Sequence, residues 1–386
     1  MLSRQSTNPA MNLVSKVLAT VASLGIAMAA DTPPAEPLGG TPVFARGQDG
    51  YHTFRIPALA VTGKGTVLAI CEGRKSSAGD SGNIDLVVKR SEDHGRTWSG
   101  IQIIRDDGDN TCGNPCVVVD GATGVIFLLS SWNRGDDHEG QIIAGTSKDT
   151  RRVFVMQSDD DGKSWSKPRE ITPEVKAPEW TWYATGPGSG IQLTRGPHKG
   201  RLVVPCDHIE AATKHYFSHV IFSDDHGKSW RRGGATPRHQ VNECDVVELA
   251  DGKLMLNMRS YDKSKRARQS ALSDDGGATW HDQRLVPELI DPICQAAMVR
   301  QRWPDDKRPG ILLFSNPASG TGRVNLTVRV SRDDGLTWPD SHELFAGPGA
   351  YSDLAVLADG QPACLYEAGK FHPYETIFFT RMPISE

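Results

Sequence analysis

The feature that most limits the fold of this chain is an octapeptide that recurs five times. The shared pattern is Ser-x-Asp-x-Gly-x-Thr/Ser-Trp, and the copies are SEDHGRTW (91–98), SDDDGKSW (158–165), SDDHGKSW (223–230), SDDGGATW (273–280) and SRDDGLTW (331–338). We refer to them as the boxes. The pattern is typical of a tight turn, because Asp accepts hydrogen bonds from nearby amides and Gly adopts positive φ. Five equivalent turns cannot converge on one site, which favours a structural role.

The spacing of the boxes predicts the architecture. Each box follows an alternating apolar run such as IDLVVKRS or NLTVRVS, which is typical of a strand entering a hairpin. The boxes begin 67, 65, 50 and 58 residues apart, a period that suits one four-stranded propeller blade with variable loops. The remaining length leaves room for six blades, one of them without a box. The sequence therefore predicts an all-β fold, a six-bladed β-propeller with antiparallel four-stranded blades.

The first 30 residues differ from the rest of the chain. A positively charged start precedes the uncharged stretch VLATVASLGIAMAA (17–30), which ends in a small-x-small pattern. This predicts a secretory signal peptide over 1–30 whose apolar part is too short to span a bilayer comfortably. A disordered start or a lipid-facing anchor is the alternative. The mature chain, 31–386, is then expected to be one propeller domain, secreted or periplasmic, with no membrane span after signal removal.

Charge and cysteine usage exclude several classes of function. The net charge of −4 and the pI near 6.3 argue against nucleic acid or an anionic membrane surface as the main partner. The seven cysteines are an odd number without CxxC pairs, so no zinc or iron–sulfur spacing is present. Cys112 and Cys116 are close enough to bridge in an exported protein, and scattered buried thiols are the alternative.

Arg55 stands in an unusual place, among apolar residues in YHTFRIPAL (51–59). Charged side chains are almost never fully buried unless they are paired. FRIP (54–57) together with the boxes resembles the exo-α-sialidase (neuraminidase) family of bacteria, trypanosomes and animals, over essentially the whole mature chain. The resemblance implies a retaining glycoside hydrolase that releases terminal α-ketosidically linked sialic acid. The implied substrates are sialylated glycans of glycoproteins, gangliosides and oligosaccharides.

The resemblance also implies which residues bind the carboxylate of sialic acid. Three arginines match the family pattern: Arg55 in FRIP, Arg259 in LMLNMRSYD and Arg323 in GTGRVNLTVRVS. Guanidinium groups suit this role because they stay charged and present a planar fork to both oxygens. Glu367 in CLYEAGK matches the glutamate that steadies the first arginine. Arg329 is the poorer candidate for the third position, because it lies inside the predicted strand.

The implied nucleophile is a tyrosine. A carboxylate nucleophile would be repelled by the carboxylate on the anomeric carbon, whereas a neutral phenol would not. Tyr351 in GPGAYSDL matches the family nucleophile and Glu243 in VNECDVVELADG its base. A base is needed because a free tyrosine has a pKa of about 10. Asp245 and Glu248 are close in sequence, so the choice of Glu243 depends on the family match.

The implied acid/base is Asp80, on the polar loop of RKSSAGDSGNIDLVVKRS. Asp85 is its rival, but its place at the start of an apolar run suggests a strand-end role. Asn114 in CGNPCVVVD stands where many relatives have an Asp that contacts the sugar hydroxyls. Weaker candidates are Gln295 in DPICQAAMVR and the aromatic stretch WTWYATGPG (180–188), for which packing is an equal possibility.

Two other functions fit parts of the pattern. A trans-sialidase or intramolecular trans-sialidase would share the same core residues and differ only in the acceptor. A propeller that binds sialosides or peptides without turnover would be expected to lack Tyr351, Glu243 or Asp80, and none is missing. The chemistry implies no metal or organic cofactor, and a structural calcium is left open.

Overall fold

A computed structural model describes residues 40–384, so the expected signal peptide at 1–30 lies outside the described residues. After β1 (Thr41–Ala45), the first blade comprises β2 (Thr53–Val61), β3 (Val67–Arg74), β4 (Ile84–Ser91) and β5 (Gln102–Arg105). The second comprises β6 (Thr111–Val119), β7 (Ile126–Asn133), β8 (Arg152–Ser158) and β9 (Arg169–Glu170). The third comprises β10 (Trp180–Thr185), β12 (Ile191–Gln192), β13 (Leu202–Glu210), β14 (Tyr216–Ser223) and β15 (Arg231–Ala235). The short strand β11 (Gly188–Ser189), which follows β10 in the chain, pairs with β6 of the second blade.

The remaining blades follow in chain order. The fourth comprises β16 (Val241–Glu248), β17 (Leu254–Ser260), β18 (Ala267–Ser273) and β19 (His281–Ile290). The fifth and sixth comprise β20 (Ala297–Arg302), β21 (Ile311–Pro317), β22 (Val324–Ser331), β23 (Asp340–Val356), β24 (Pro362–Ala368) and β25 (Thr376–Arg381). Two short helices, α1 (Glu139–Ala144) and α2 (Thr172–Val175), lie in connections.

The blades form a closed ring. The long strand β23 serves two of them, because its first half pairs with β22 and its second half with β24, both antiparallel. The first strand, β1, pairs with β25 and so completes the sixth blade from the other end of the chain. The inner strand β2 packs against both β6 and β23, which joins the first blade to the second and to the last. The predicted six-bladed β-propeller is confirmed.

Each box is the turn that follows the third strand of a blade. In the first box the hydroxyl of Ser91 donates to Asp93 and accepts from the amide of Gly95, both at 2.8 Å. The carboxylate of Asp93 accepts from the hydroxyl and the amide of Thr97, at 2.6 and 2.9 Å. The other four boxes repeat these contacts. The box carboxylates therefore hold their own turns.

The boxes also join neighbouring blades, through the glycine. A Cβ placed on Gly95 would lie 2.0 Å from the ring of Phe379, in the sixth blade. A Cβ on Gly227, in the third blade, would lie 2.3 Å from the ring of Phe127 in the second. Both glycines have φ between 77° and 85°. Glycine is thus required for the turn and for the close packing of one blade on the preceding one.

Replacing a box glycine should therefore destabilise the ring. We expect Gly95→Ala to lower the free energy of unfolding by about 1–3 kcal/mol more than Gly47→Ala does. The control is matched because Gly47 also has positive φ but has open space around its Cβ position. Urea unfolding of both variants measures the difference. Equal losses would show that backbone strain alone matters and that the packing on Phe379 is unimportant.

The cysteines and the helices add two further facts. All seven cysteines are buried free thiols. Cys112 and Cys116 lie on β6 but pack in different apolar clusters, so the bridge left open by their spacing is not formed.

No helix in residues 40–384 has the length and apolar character needed to cross a membrane.

Candidate active site

Side chains from all six blades line one cleft of about 380 Å³. Seven of the eight residues predicted for the site line it: Arg55, Asp80, Asn114, Glu243, Arg259, Arg323 and Tyr351. Glu367 lies behind the wall and is fully buried. The ring thus assembles positions that are up to 312 residues apart in the chain.

The FRIP segment explains how an arginine is accommodated among apolar residues. Arg55 is only 4% exposed, and its Nε and Nη2 both donate to Glu367 at 3.1 Å. The strand has an irregularity between Arg55 and Ala58, where Ile56 adopts φ of 61°. This conformation is unfavourable for a β-branched residue. It allows the amide of Ile56 to donate to the same carboxylate at 2.8 Å.

Glu367 also connects this cation to Tyr351, because it accepts from the backbone amide of Tyr351 at 3.2 Å. The phenol of Tyr351 donates to Glu243 at 2.6 Å and accepts from Arg259 Nη1 at 3.2 Å. Arg259 itself contacts the other oxygen of Glu243 at 2.5 Å. The phenol, the carboxylate and the guanidinium therefore form a closed triangle.

The electrostatics of this triangle keep the phenol protonated. Burial raises the pKa of Tyr351 well above its usual value, and the charge of Glu243 adds to the effect, while Arg259 and Arg323 act to lower it. A neutral phenol that donates to a carboxylate is the arrangement needed for attack with concerted proton transfer.

Arg323 supplies a third cation beside the same phenol. Its guanidinium lies 5.4 Å from the ring centroid of Tyr351, and that of Arg55 lies at 5.0 Å. Arg323 Nη1 donates to the hydroxyl of Tyr374 at 2.7 Å. Within residues 40–384 no carboxylate forms an ion pair with Arg323. Arg323 is therefore a cation in the cleft without a carboxylate partner, which suits it to bind an anionic ligand.

Tyr374 was not predicted from the sequence. Its ring stacks on the guanidinium of Arg55, with 3.8 Å between the guanidinium carbon and the ring centroid. The rival Arg329 lies on β22 opposite Ser341 and does not line the cleft.

Asp80 lies at the rim of the cleft, with its side chain 72% exposed. It pairs with Arg74 Nη1 at 2.7 Å and with Arg55 Nη1 at 3.5 Å. Desolvation at the rim acts to raise the pKa of Asp80, but the charges of Arg74 and Arg55 outweigh it and lower the pKa. The rival Asp85 is buried on β4 and bonded to Tyr51 at 2.6 Å, outside the cleft.

The rivals of Glu243 also have structural partners. Asp245 accepts from the amides of Val246 and Met298, both at 2.7 Å, and so joins the fourth blade to the fifth. Glu248 accepts from the amide and hydroxyl of Thr194 at 2.8 Å. Neither lies in the cleft.

Comparison with known proteins places this chain in a family. A family model described as a BNR repeat-like domain matches residues 65–364. A sialidase of Micromonospora viridifaciens is 36% identical over 91% of this chain and 56% of its own length. A sialidase of Bacteroides fragilis is 31% identical over 94% of this chain and 70% of its own length.

The chain belongs to the sialidase family. The resemblance carried by FRIP and the boxes is thereby confirmed. Among solved structures, the Hadza microbial sialidase Hz136 has a TM-score of 0.80 and 31% identity, covering 89% of this chain and 68% of that one. The present chain spans little more than half the length of the Micromonospora relative.

Asn114, which stands where the resemblance implied an Asp in many relatives, lies on β6. It adopts φ of 51°, its backbone N–H donates to Glu72 at 2.8 Å, and its side-chain oxygen accepts from Arg151. Arg151 stacks on Trp182, with its guanidinium carbon 3.9 Å from the ring centroid. The aromatic stretch 180–188 thus reaches the cleft through Trp182. Gln295 does not line the cleft; its side chain donates to the backbone carbonyl of Ser352 and accepts from the backbone N–H of the same residue.

Asp207 is a second residue that sequence reasoning missed. It lies on β13, lines the cleft and is fully buried, and neither carboxyl oxygen has a hydrogen-bond partner within residues 40–384. Burial raises the pKa of Asp207 well above its usual value, and the charge of Glu243 adds to the effect. Its position in the sequence, after the apolar run LVVPC, gave no sign that Asp207 would line the cleft.

Substituting Asp207 should produce a pH-dependent gain in stability. The raised pKa means that the folded state holds a proton that the unfolded state releases above about pH 4. Stability is therefore lost as pH rises towards the folded pKa, by up to about 1.4 kcal/mol per pH unit. We expect Asp207→Asn to gain stability relative to the parent between pH 4 and pH 7, as measured by urea unfolding. A difference independent of pH would contradict the raised pKa.

Proposed function

We propose that this sialidase-family chain is a retaining exo-α-sialidase that acts through a covalent sialyl-tyrosine intermediate. The observation that carries the proposal is the convergence of three guanidinium groups on one phenol whose hydroxyl donates to a carboxylate. Sialic acid is an anion at the carbon that reacts, so a site for it must combine a carboxylate clamp with a nucleophile that carries no charge.

The clamp consists of Arg55, Arg259 and Arg323, with Glu367 holding the first of them in place. The guanidinium of Arg323 lines the cleft and has no acid partner in the described chain. Its remaining donors are therefore free for the substrate carboxylate. Such charge-assisted bonds are the strongest hydrogen bonds that a protein offers to a carboxylate.

The first step is attack of the Tyr351 oxygen on the anomeric carbon. The phenol proton passes to Glu243 as the new C–O bond forms and the bond to the leaving oxygen breaks. Asp80 gives its proton to that leaving oxygen. In the second step water attacks the same carbon and the bond from that carbon to the Tyr351 oxygen breaks. Asp80 takes the proton of the water, and the Tyr351 oxygen recovers its proton from Glu243.

Substrate binding prepares Asp80 for its role. In the free protein Arg74 and Arg55 lower its pKa, which opposes proton donation. A substrate carboxylate on Arg55 neutralises part of that positive field and adds a negative charge nearby, so the pKa of Asp80 rises in the complex. The acid is thus formed when the substrate arrives. Asn114, held by Arg151, is available to the sugar hydroxyls through its remaining donor.

The N-terminal segment bears on where the enzyme would meet its substrates. We infer that 1–30 direct export, so that the propeller of 31–386 meets sialylated glycoproteins, gangliosides and oligosaccharides outside the cytoplasm. No cofactor takes part in the steps above.

Incubation with 3′-sialyllactose, followed by proton NMR, tests the proposal. Free sialic acid should appear first as the α-anomer and then mutarotate, because double displacement retains configuration. The β-anomer as first product would exclude the covalent intermediate. An anhydro or transferred product would identify a trans-sialidase, and no cleavage by folded protein would reject the enzymatic function.

A further inference from the structure

Phe371 is an exposed aromatic side chain on a loop that also contributes Tyr374 to the lining of the cleft. It lies in the 369–375 loop, between β24 and β25, and is 80% exposed, the largest value among the exposed large apolar residues in the described chain. Aromatic side chains carry much apolar surface, and leaving it in water gains nothing for stability. An aromatic ring exposed to solvent on a loop that borders the cleft is therefore a candidate contact for a ligand.

The backbone of this loop is held in place by Glu375. The carboxylate of Glu375 accepts from three consecutive backbone amides, those of Lys370, Phe371 and His372, at 2.8, 3.1 and 3.0 Å. The turn also requires Gly369, because a Cβ there would lie 2.2 Å from the carbonyl oxygen of His372. Phe371 is thus displayed by a fixed backbone, which reduces the entropy lost when a ligand packs on it.

The same loop is attached to the carboxylate clamp. Its Tyr374 lines the cleft, stacks on Arg55 and accepts a hydrogen bond from Arg323. The ring of His372 lies edge-on to Tyr374, with 4.6 Å between centroids. Phe371 therefore stands three residues from the wall of the cleft, on a segment whose position is coupled to the clamp.

The location of Asp80 indicates which part of the substrate passes this rim. Asp80 and Tyr374 both contact the guanidinium of Arg55, and the side chain of Asp80 is open to solvent. The group that receives the proton of Asp80 must leave on that exposed side. The part of the substrate beyond the reacting bond thus leaves the cleft at the rim that the loop borders.

We propose that Phe371 is a platform for the leaving-group sugar, packing its ring on the C–H face of the sugar next to sialic acid. This inference rests on the proposed function and adds a residue that selects saccharide over small alkyl leaving groups. Binding energy from this remote contact is available to the transition state, so it affects kcat/KM for substrates that have the sugar.

Two substrates separate this role from a general effect on activity. We expect Phe371→Ala to lower kcat/KM for 3′-sialyllactose by about 5- to 10-fold and to leave methyl α-sialoside unchanged. Phe371→Trp should retain the parent's preference for 3′-sialyllactose over methyl α-sialoside. The control is Leu336→Ala, which removes a 64% exposed apolar side chain in the fifth box, outside the cleft. Equal effects of Phe371→Ala on both substrates would overturn the proposal.

Saturation-transfer NMR reports the contact without turnover, using 3′-sialyllactose in a Tyr351→Phe background. Both the galactose and the sialic acid protons should receive saturation, and adding Phe371→Ala should remove it from galactose alone. Saturation confined to sialic acid in the parent would reject the platform but keep the proposed function. Saturation of neither ring would reject both.

Discussion

Tyr351→Phe is expected to lower kcat for 3′-sialyllactose by about 10³-fold or more, since deletion of a nucleophile in hydrolases costs up to about 10⁶-fold. The substitution removes the oxygen that would bond to the anomeric carbon, together with its 2.6 Å hydrogen bond to Glu243, and keeps the ring between Arg55 and Arg323. Trapping with 2,3-difluoro sialic acid provides a direct measurement. Mass spectrometry should find the adduct on the peptide that contains residue 351, and no adduct in the variant.

Tyr261→Phe is the matched control. Tyr261 also lines the cleft, with its ring centroid 5.1 Å from the guanidinium carbon of Arg259. Within residues 40–384 its hydroxyl has a single hydrogen bond, which it accepts from Asn242 at 3.3 Å. We expect less than about a tenfold loss, the effect of one neutral hydrogen bond. An adduct on another residue, or an unchanged kcat in Tyr351→Phe, would rule out the assigned nucleophile.

Asp80→Asn is expected to separate substrates by their leaving groups. Loss of general acid catalysis should lower kcat/KM for 3′-sialyllactose by about 10²–10⁴-fold. An aryl sialoside, whose leaving phenolate needs little protonation, should be affected far less. Because the pKa of Asp80 is lowered in the free protein, kcat/KM for sialyllactose should also fall as pH rises through that low pKa. The variant should lack this dependence.

Asp85→Asn addresses the alternative acid. Its carboxylate is bonded to Tyr51 and Lys75 away from the cleft, so its loss should lower stability and leave the ratio of the two substrates unchanged. A leaving-group effect in Asp85→Asn, or a uniform loss on both substrates in Asp80→Asn, would contradict the assignment of the acid.

The parts of this molecule that could be predicted from its sequence are those with a local signature. Each box closes its own hydrogen bonds within a few residues, so the pattern is visible in the sequence and its spacing predicts the blades. FRIP can be recognised in the sequence for a similar reason. Its irregular strand lets the side chain of Arg55 and the backbone amide of Ile56 donate to the same carboxylate, that of Glu367.

The residues that were missed have no such signature. Tyr374 and Asp207 stand in ordinary sequence contexts, HPYETI and PCDHIE. They line the cleft only because the fold places strands that are distant in sequence around it. The pairing of Asp80 with Arg74 is likewise set by the conformation of one loop, whose carbonyls at Ala78 and Gly79 also bind Arg74. Spacing along the chain does not contain this information.

The closure of the ring has a consequence for synthesis. Arg55 is among the first described residues to emerge from a ribosome, and its partner Glu367 emerges 312 residues later. The strand β1 must likewise wait for β25. A nascent or prematurely terminated chain that stops after the fifth blade lacks Glu367, the partner of Arg55, and leaves β1 without β25. The buried ion pair and the closed ring therefore form only after the sixth blade has been synthesised.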